Sequence, residues 1–102
     1  MELKVASRWR SPVCSTEAVI VRAPKAPGAL SCGGQPMTKA GDPLPEGLTL
    51  SGDNGEGGLV GKRYTDEESG LEALCVKAGP GALAFEGRPL TIREAKKLPS
   101  SD

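Results

Sequence analysis

Residues 17–37 read EAVIVRAPKAPGALSCGGQPM, and residues 72–90 read EALCVKAGPGALAFEGRPL. Once a two-residue gap is placed in the second stretch, the two align. Glu17 then meets Glu72, Ala18 meets Ala73, Val21 meets Val76 and Ala23 meets Ala78. Pro27-Gly28-Ala29-Leu30 falls on Pro80-Gly81-Ala82-Leu83, and Gly34, Pro36 and Thr38 fall on Gly87, Pro89 and Thr91. Working outward, Arg8-Trp9 precedes the first stretch at the offset at which Arg63-Tyr64 precedes the second. An aromatic and a hairpin that keep register twice predict an internal repeat.

Each copy reads as a β-hairpin. Val19-Ile20-Val21 and Leu74-Cys75-Val76 are short aliphatic runs that end in turn residues. Pro27-Gly28 and Pro80-Gly81 are turn dipeptides, and Gly33-Gly34 and Glu86-Gly87 supply a second turn in each copy. The return strands are Ala29–Cys32 and Ala82–Phe85. Strand alternation puts Val19 and Val21, with Leu74 and Val76, on one face and Ile20 with Cys75 on the other, so Cys75 is read as a small packing residue. Residues 5–40 form the first repeat, 41–58 a Gly/Pro-rich linker in which Leu48-Thr49-Leu50 adds an edge strand, 59–95 the second repeat and 96–102 a tail. Thr65–Glu68 offers at most one helical turn before Ser69-Gly70 ends it. The fold class expected is small and all-β.

Composition agrees. The chain has 102 residues, 14 of them Gly and 9 Pro, which disfavours helical bundles and coiled coils. It contains no His, which excludes imidazole bases, Ser-His triads and His-ligated metals. Thirteen basic and 13 acidic residues leave no net charge and no nucleic-acid footprint. The longest aliphatic run is Ala18–Val21, far short of the about 20 residues of a membrane helix. Met1–Arg10 has no apolar signal-peptide core, so a cytoplasmic location is expected. With only Trp9, Tyr64 and Phe85 aromatic, the chain is short of large core residues, and a metal, a disulfide or a partner is the usual remedy. Trp9 and Tyr64 are assigned to packing, with partner contact a second role for Trp9. The glycines of 52–61 form a loop that no lysine-serine pair and no long helix follow, so it is not a phosphate-binding motif. Asp66-Glu67-Glu68 reads as a solvated charge run.

The first copy carries the chemistry. Ser11-Pro12-Val13-Cys14, a hairpin, and Leu30-Ser31-Cys32-Gly33-Gly34-Gln35-Pro36-Met37 follow one another. This order resembles desulforedoxin and the N-terminal domain of desulfoferrodoxin, rubredoxin-type units with a Cys-x-x-Cys pair, a hairpin and an adjacent Cys-Cys before Gly-x-Pro-Met or similar. The resemblance spans about 27 residues directly and reaches 61–93 through the repeat. In that family four thiolates hold one iron. Cys14 and Cys32 stand at two of those positions, and Ser11 and Gly33 stand at the others. In the second copy the four positions hold Asp66, Ser69, Phe85 and Glu86, and Phe85 would fill with hydrocarbon the volume the family gives to metal. Desulforedoxin works as a dimer, so the resemblance implies two repeats forming an intrachain pseudo-dimer. Superoxide reduction, as in desulfoferrodoxin, needs His ligands and is excluded.

The function expected is therefore a non-catalytic accessory or protein-binding module, acting on a larger protein partner or by self-association, with no nucleic acid and no membrane. The alternative is a metal protein holding iron or zinc at Cys14 and Cys32, used for electron transfer or stability. Without a metal, the two thiols stay free or join as a labile disulfide, since hairpin neighbours of this kind lie close enough to pair.

Overall fold

A computed structural model describes residues 3–52, 54, 55 and 57–93. Ten strands run along these residues: β1 (Arg8–Arg10), β2 (Glu17–Arg22), β3 (Leu30–Cys32), β4 (Gln35–Pro36), β5 (Thr38–Lys39), β6 (Arg63–Asp66), β7 (Leu71–Lys77), β8 (Leu83–Phe85), β9 (Arg88–Pro89) and β10 (Thr91–Arg93). All pairings are antiparallel, and the described residues form no helix. No helix of the described residues is thus long and apolar enough to cross a membrane.

Turn chemistry sets the local shape. β3 and β4 face each other with Cys32 opposite Gln35, which leaves a loop of Gly33 and Gly34 alone, both at positive φ. β8 and β9 do the same around Glu86 and Gly87, at φ 51° and 77°. A two-residue hairpin whose central residues both have φ > 0 matches the twist of the strands it joins, and glycine adopts it without penalty. Glu86 carries the cost of a left-handed L-residue, about 1–2 kcal/mol. Its carboxylate returns part of that by accepting the N–H of Ala29 at 2.7 Å.

Two sheets result, one ordered β10-β6-β7-β2-β1-β5 and one ordered β4-β3-β8-β9. In each, the central pair joins a strand from residues before 41 to a strand from residues after 58. β2 pairs β7 with Ala18 opposite Cys75 and Ile20 opposite Ala73, and β3 pairs β8 with Leu30 opposite Phe85 and Cys32 opposite Leu83. Backbone bonds recur at corresponding positions. The N–H of Ala6 donates to Ile20 and that of Gly61 to Cys75; the N–H of Met37 donates to Leu30 and that of Leu90 to Leu83. The N–H of Gly33 donates to Ala82 and that of Glu86 to Ala29. The short edge strands β4 and β9 contain Pro36 and Pro89, which cannot extend a ladder, and β5 and β10 carry Lys39 and Arg93.

One apolar cluster takes side chains from both sheets: Ala18, Ile20, Leu71, Ala73 and Cys75 from the larger, Leu30, Cys32, Leu83 and Phe85 from the smaller. Trp9 and Tyr64 are buried in it as well, which removes Trp9 as a surface contact. Tyr64 also ties down the 57–59 segment, since its hydroxyl accepts the N–H of Leu59 at 2.9 Å.

Three expectations are corrected. The hairpins do not close at Pro27-Gly28 and Pro80-Gly81: β2 and β3, and likewise β7 and β8, enter different sheets, because each finds its long antiparallel partner in the other half of the chain. Leu48–Leu50 forms no strand; Leu50 lies against Gly33, and the N–H of Ser51 donates to the Gly33 carbonyl at 2.8 Å. Those bonds hold the segment to a turn rather than to a sheet edge. Asp66 is no solvated charge. It is 6% exposed, paired with Arg88 at 2.8 Å, and accepts the Ser69 hydroxyl at 2.7 Å. The tail at 96–102 and the last two residues of the 59–95 segment lie outside the described residues.

Candidate dithiol site

The loop from β1 to β2 and the end of β3 bring Cys14 and Cys32 together, with their sulfurs 3.8 Å apart. Cys32 is fully buried, and Cys14 is half-buried at the edge of the core. The thiols are free. Two hydroxyls flank Cys14: Ser11 Oγ at 3.3 Å and Thr16 Oγ1 at 3.2 Å from its sulfur. Both residues are buried, so these hydroxyls are fixed parts of the site. The N–H of Ser11 donates to the Thr16 carbonyl at 2.9 Å, and this bond closes the loop that holds Cys14.

The second half of the chain forms the wall. Gly81, in the turn before β8, approaches so closely that a Cβ there would lie 2.8 Å from Cys32 Sγ, 3.0 Å from Cys14 Sγ and 3.1 Å from the Gly33 nitrogen. Gly58 and Gly79 lie against Thr16 in the same way and bridge to each other. Ser15 Oγ donates to the Ala78 carbonyl at 2.7 Å, and Asn54 accepts the N–H of Ala82 at 3.0 Å. Part of the 41–58 stretch thus closes round the site. Gly81→Ala is expected to lower stability by about 1–3 kcal/mol, the usual cost of overpacking. Chemical denaturation checks this, and an unchanged midpoint would show that the wall is not tight.

The two thiols differ electrostatically. Burial raises the Cys14 thiol, but the hydroxyls of Ser11 and Thr16 and the N–H groups of Thr16 and Gly81 outweigh it, lowering the pKa to about 7. Burial also dominates at Cys32, which is pushed up to about 12. Alkylation of Cys14 should therefore rise about tenfold between pH 6 and pH 8, following the thiolate fraction. Rates read by mass spectrometry of the Cys14 peptide test this; a profile centred on the ordinary thiol range would contradict it.

Cys75 does not join the pair. It is buried in β7, its sulfur donates to the Lys77 carbonyl at 3.2 Å, and burial pushes its thiol up. Gly33, which the resemblance sets beside Cys32 as a fourth position, brings no side chain. Thr16 was not marked by sequence reasoning; its only signal is a β-branched hydroxyl two residues after a cysteine, a weak pattern. The equivalent places in the other half carry no thiol. Phe85 is 2% exposed in the core, and Ser69 and Asp66 bond to each other beside Arg88. Gly28 lies against the Phe85 ring, as Gly81 lies against the thiols.

Tetrahedral iron or zinc sites take four ligands, mostly thiolates. Among the described residues no three or more His, Cys, Asp or Glu side chains are grouped to hold a metal. One chain offers two sulfurs and two neutral hydroxyls, a donor set that does not fit such an ion by itself. Comparisons with protein-family models, with characterised proteins and with solved structures find no match to this chain.

Proposed function

We propose that the chain is a non-catalytic accessory module, built as a fused pair of desulforedoxin-like hairpin units and working by binding a larger protein partner or a second copy of itself. The observation that carries this reading is the pair of equivalent positions. Where the family has a metal, one half holds packed Phe85 and the Asp66–Ser69–Arg88 bonds, and the other holds only two thiols with Ser11 and Thr16. Such a scaffold keeps its shape by packing and hydrogen bonding. The partner is a protein, since the balanced charge favours neither nucleic acid nor membrane, and free thiols suit the reducing cytoplasm. The test is metal content per chain in untagged protein purified without oxygen. This reading expects no stoichiometric metal and a melting temperature indifferent to chelator. One metal per chain, lost in Cys14→Ser, would overturn it. Sedimentation velocity on the same sample separates self-association from a heterologous partner.

A second reading rests on one distance. Two thiolates on a tetrahedral ion with bonds of about 2.3 Å stand roughly 3.8 Å apart, which is the separation of Cys14 and Cys32. Iron or zinc shared between two copies would complete four thiolates, and half a metal per chain is its signature.

A further inference from the structure

We infer that Cys14 and Cys32 are a reversible two-electron thiol–disulfide site, with Cys14 as the attacking sulfur, Cys32 as the resolving sulfur and a low-molecular-weight disulfide as the oxidant. Three observations converge. The sulfurs are 3.8 Å apart, so a bond of about 2.05 Å requires an approach of roughly 1.8 Å. Cys14 is on the short β1–β2 loop rather than in a strand, so it can make that move without breaking a sheet ladder. Accessibility sorts the roles: Cys14 is half-buried and reachable, whereas Cys32 is fully buried. The depressed Cys14 thiol agrees with the assignment, since a thiolate is the attacking species.

The steps balance. The Cys14 thiolate attacks one sulfur of a disulfide R–S–S–R. A Cys14–S–S–R bond forms and R–S⁻ leaves. The Cys32 thiol gives its proton to that thiolate, forming R–SH, and its sulfur attacks Cys14. The Cys14–Cys32 bond forms and a second R–S⁻ leaves. The protein thiols lose two electrons, and the small disulfide gains them as two thiol equivalents. The Ser11 and Thr16 hydroxyls that hold the thiolate lose that partner on oxidation. Gly81, against both sulfurs, passes the change to the turn preceding β8 in the other half.

This inference rests on the metal-free reading, and the experiment keeps the two apart. Metal content is measured first on the sample. The protein is then treated with glutathione disulfide, quenched in acid, alkylated under denaturing conditions and weighed intact, with the modified peptides mapped. The expected result is loss of two hydrogens, a Cys14–Cys32 cross-link, and Cys75 as the single alkylated thiol. Reduced glutathione in excess should restore three alkylated thiols. Cys32→Ser should stop at a persistent glutathione adduct on Cys14, and Cys14→Ser should lose the reaction. Circular dichroism confirms that each variant is folded, and Cys75→Ala, outside the pair, should still form the cross-link. A wild-type adduct on Cys14 as persistent as that of Cys32→Ser, a cross-link through Cys75, or three unreacted thiols in metal-free protein would overturn the inference alone. Stoichiometric metal would overturn the metal-free reading and the inference with it.

Discussion

Phe85→Ala will lower the stability of this chain by about 3–5 kcal/mol, the usual cost of emptying a buried phenylalanine site. That is a large share of the about 5–15 kcal/mol available to a domain. Phe85 is 2% exposed and faces Leu30 across the β3–β8 pairing that ties the halves of the smaller sheet together. The chain has few other large side chains to collapse into the void, with one Trp, one Tyr and one Phe in all. Gly28 makes the claim sharper. A Cβ at Gly28 would lie 2.4 Å from the tip of the Phe85 ring, so Gly28→Ala alone should also destabilise. In the Phe85→Ala background the clash with the ring is gone, and only the Glu86 side chain, with its Cγ 2.7 Å from that Cβ, still has to shift. The double variant should therefore be more stable than the two single losses add up to, by about 0.5–3 kcal/mol. Urea unfolding of the four proteins decides it. A near-neutral Phe85→Ala would show that the ring is not what fills the centre of that half.

Asp66→Ala is expected to cost about 2–4 kcal/mol. The carboxylate accepts bonds from the Arg88 side chain at 3.2 and 2.8 Å, from the Ser69 hydroxyl at 2.7 Å and from the Ser69 N–H at 3.2 Å. Its removal leaves the Ser69 groups buried without an acceptor. Arg88 itself reaches water and also pairs with Glu68, so the loss falls below that of a fully buried broken pair. Acid should expose the same interaction. The Arg88 hydrogen bonds, helped by Ser69 against the effect of burial, hold Asp66 down at about 2. A depressed carboxylate contributes stability that is complete above its unfolded pKa of about 4 and fades as the pH falls through 2. The wild type should thus lose more stability between pH 5 and pH 2 than Asp66→Ala does. Parallel pH profiles for the two proteins would place the stabilisation elsewhere.

Much of the fold can be read from local signals. Val19-Ile20-Val21 and Leu74-Cys75-Val76 lie within β2 and β7, and Gly33-Gly34 and Glu86-Gly87 are the tight turns their composition announces. These features depend on residues within a few positions of one another. Asp66 shows where that reach ends. Its partner Arg88 is 22 residues away, so an acid beside two more acids looks solvated until the chain is closed. Leu48-Thr49-Leu50 fails for the opposite reason. Its alternation suits a strand, but Gly33 offers an apolar contact and a carbonyl that no local pattern reports. At the site, Cys14 and Cys32 were visible as cysteines, each next to a turn signal. The wall at Gly81 was not, because it acts through packing between the halves, and the hydroxyl of Thr16 was not, because only the closed β1–β2 loop turns it onto Cys14.

The pairing of β2 with β7, and of β3 with β8, carries a consequence for assembly. Each is the central seam of its sheet, and each is made from segments on opposite sides of residues 41–58. That stretch is then a covalent tether, and it sets the effective concentration at which one seam edge meets the other. A chain nicked there would turn a single-molecule folding reaction into a bimolecular one. Each fragment would carry two unsatisfied strand edges that match the other fragment, and also, by the likeness of the halves, a second copy of itself. Fragment recovery would then rise with concentration, with swapped and self-paired species in competition with the native join.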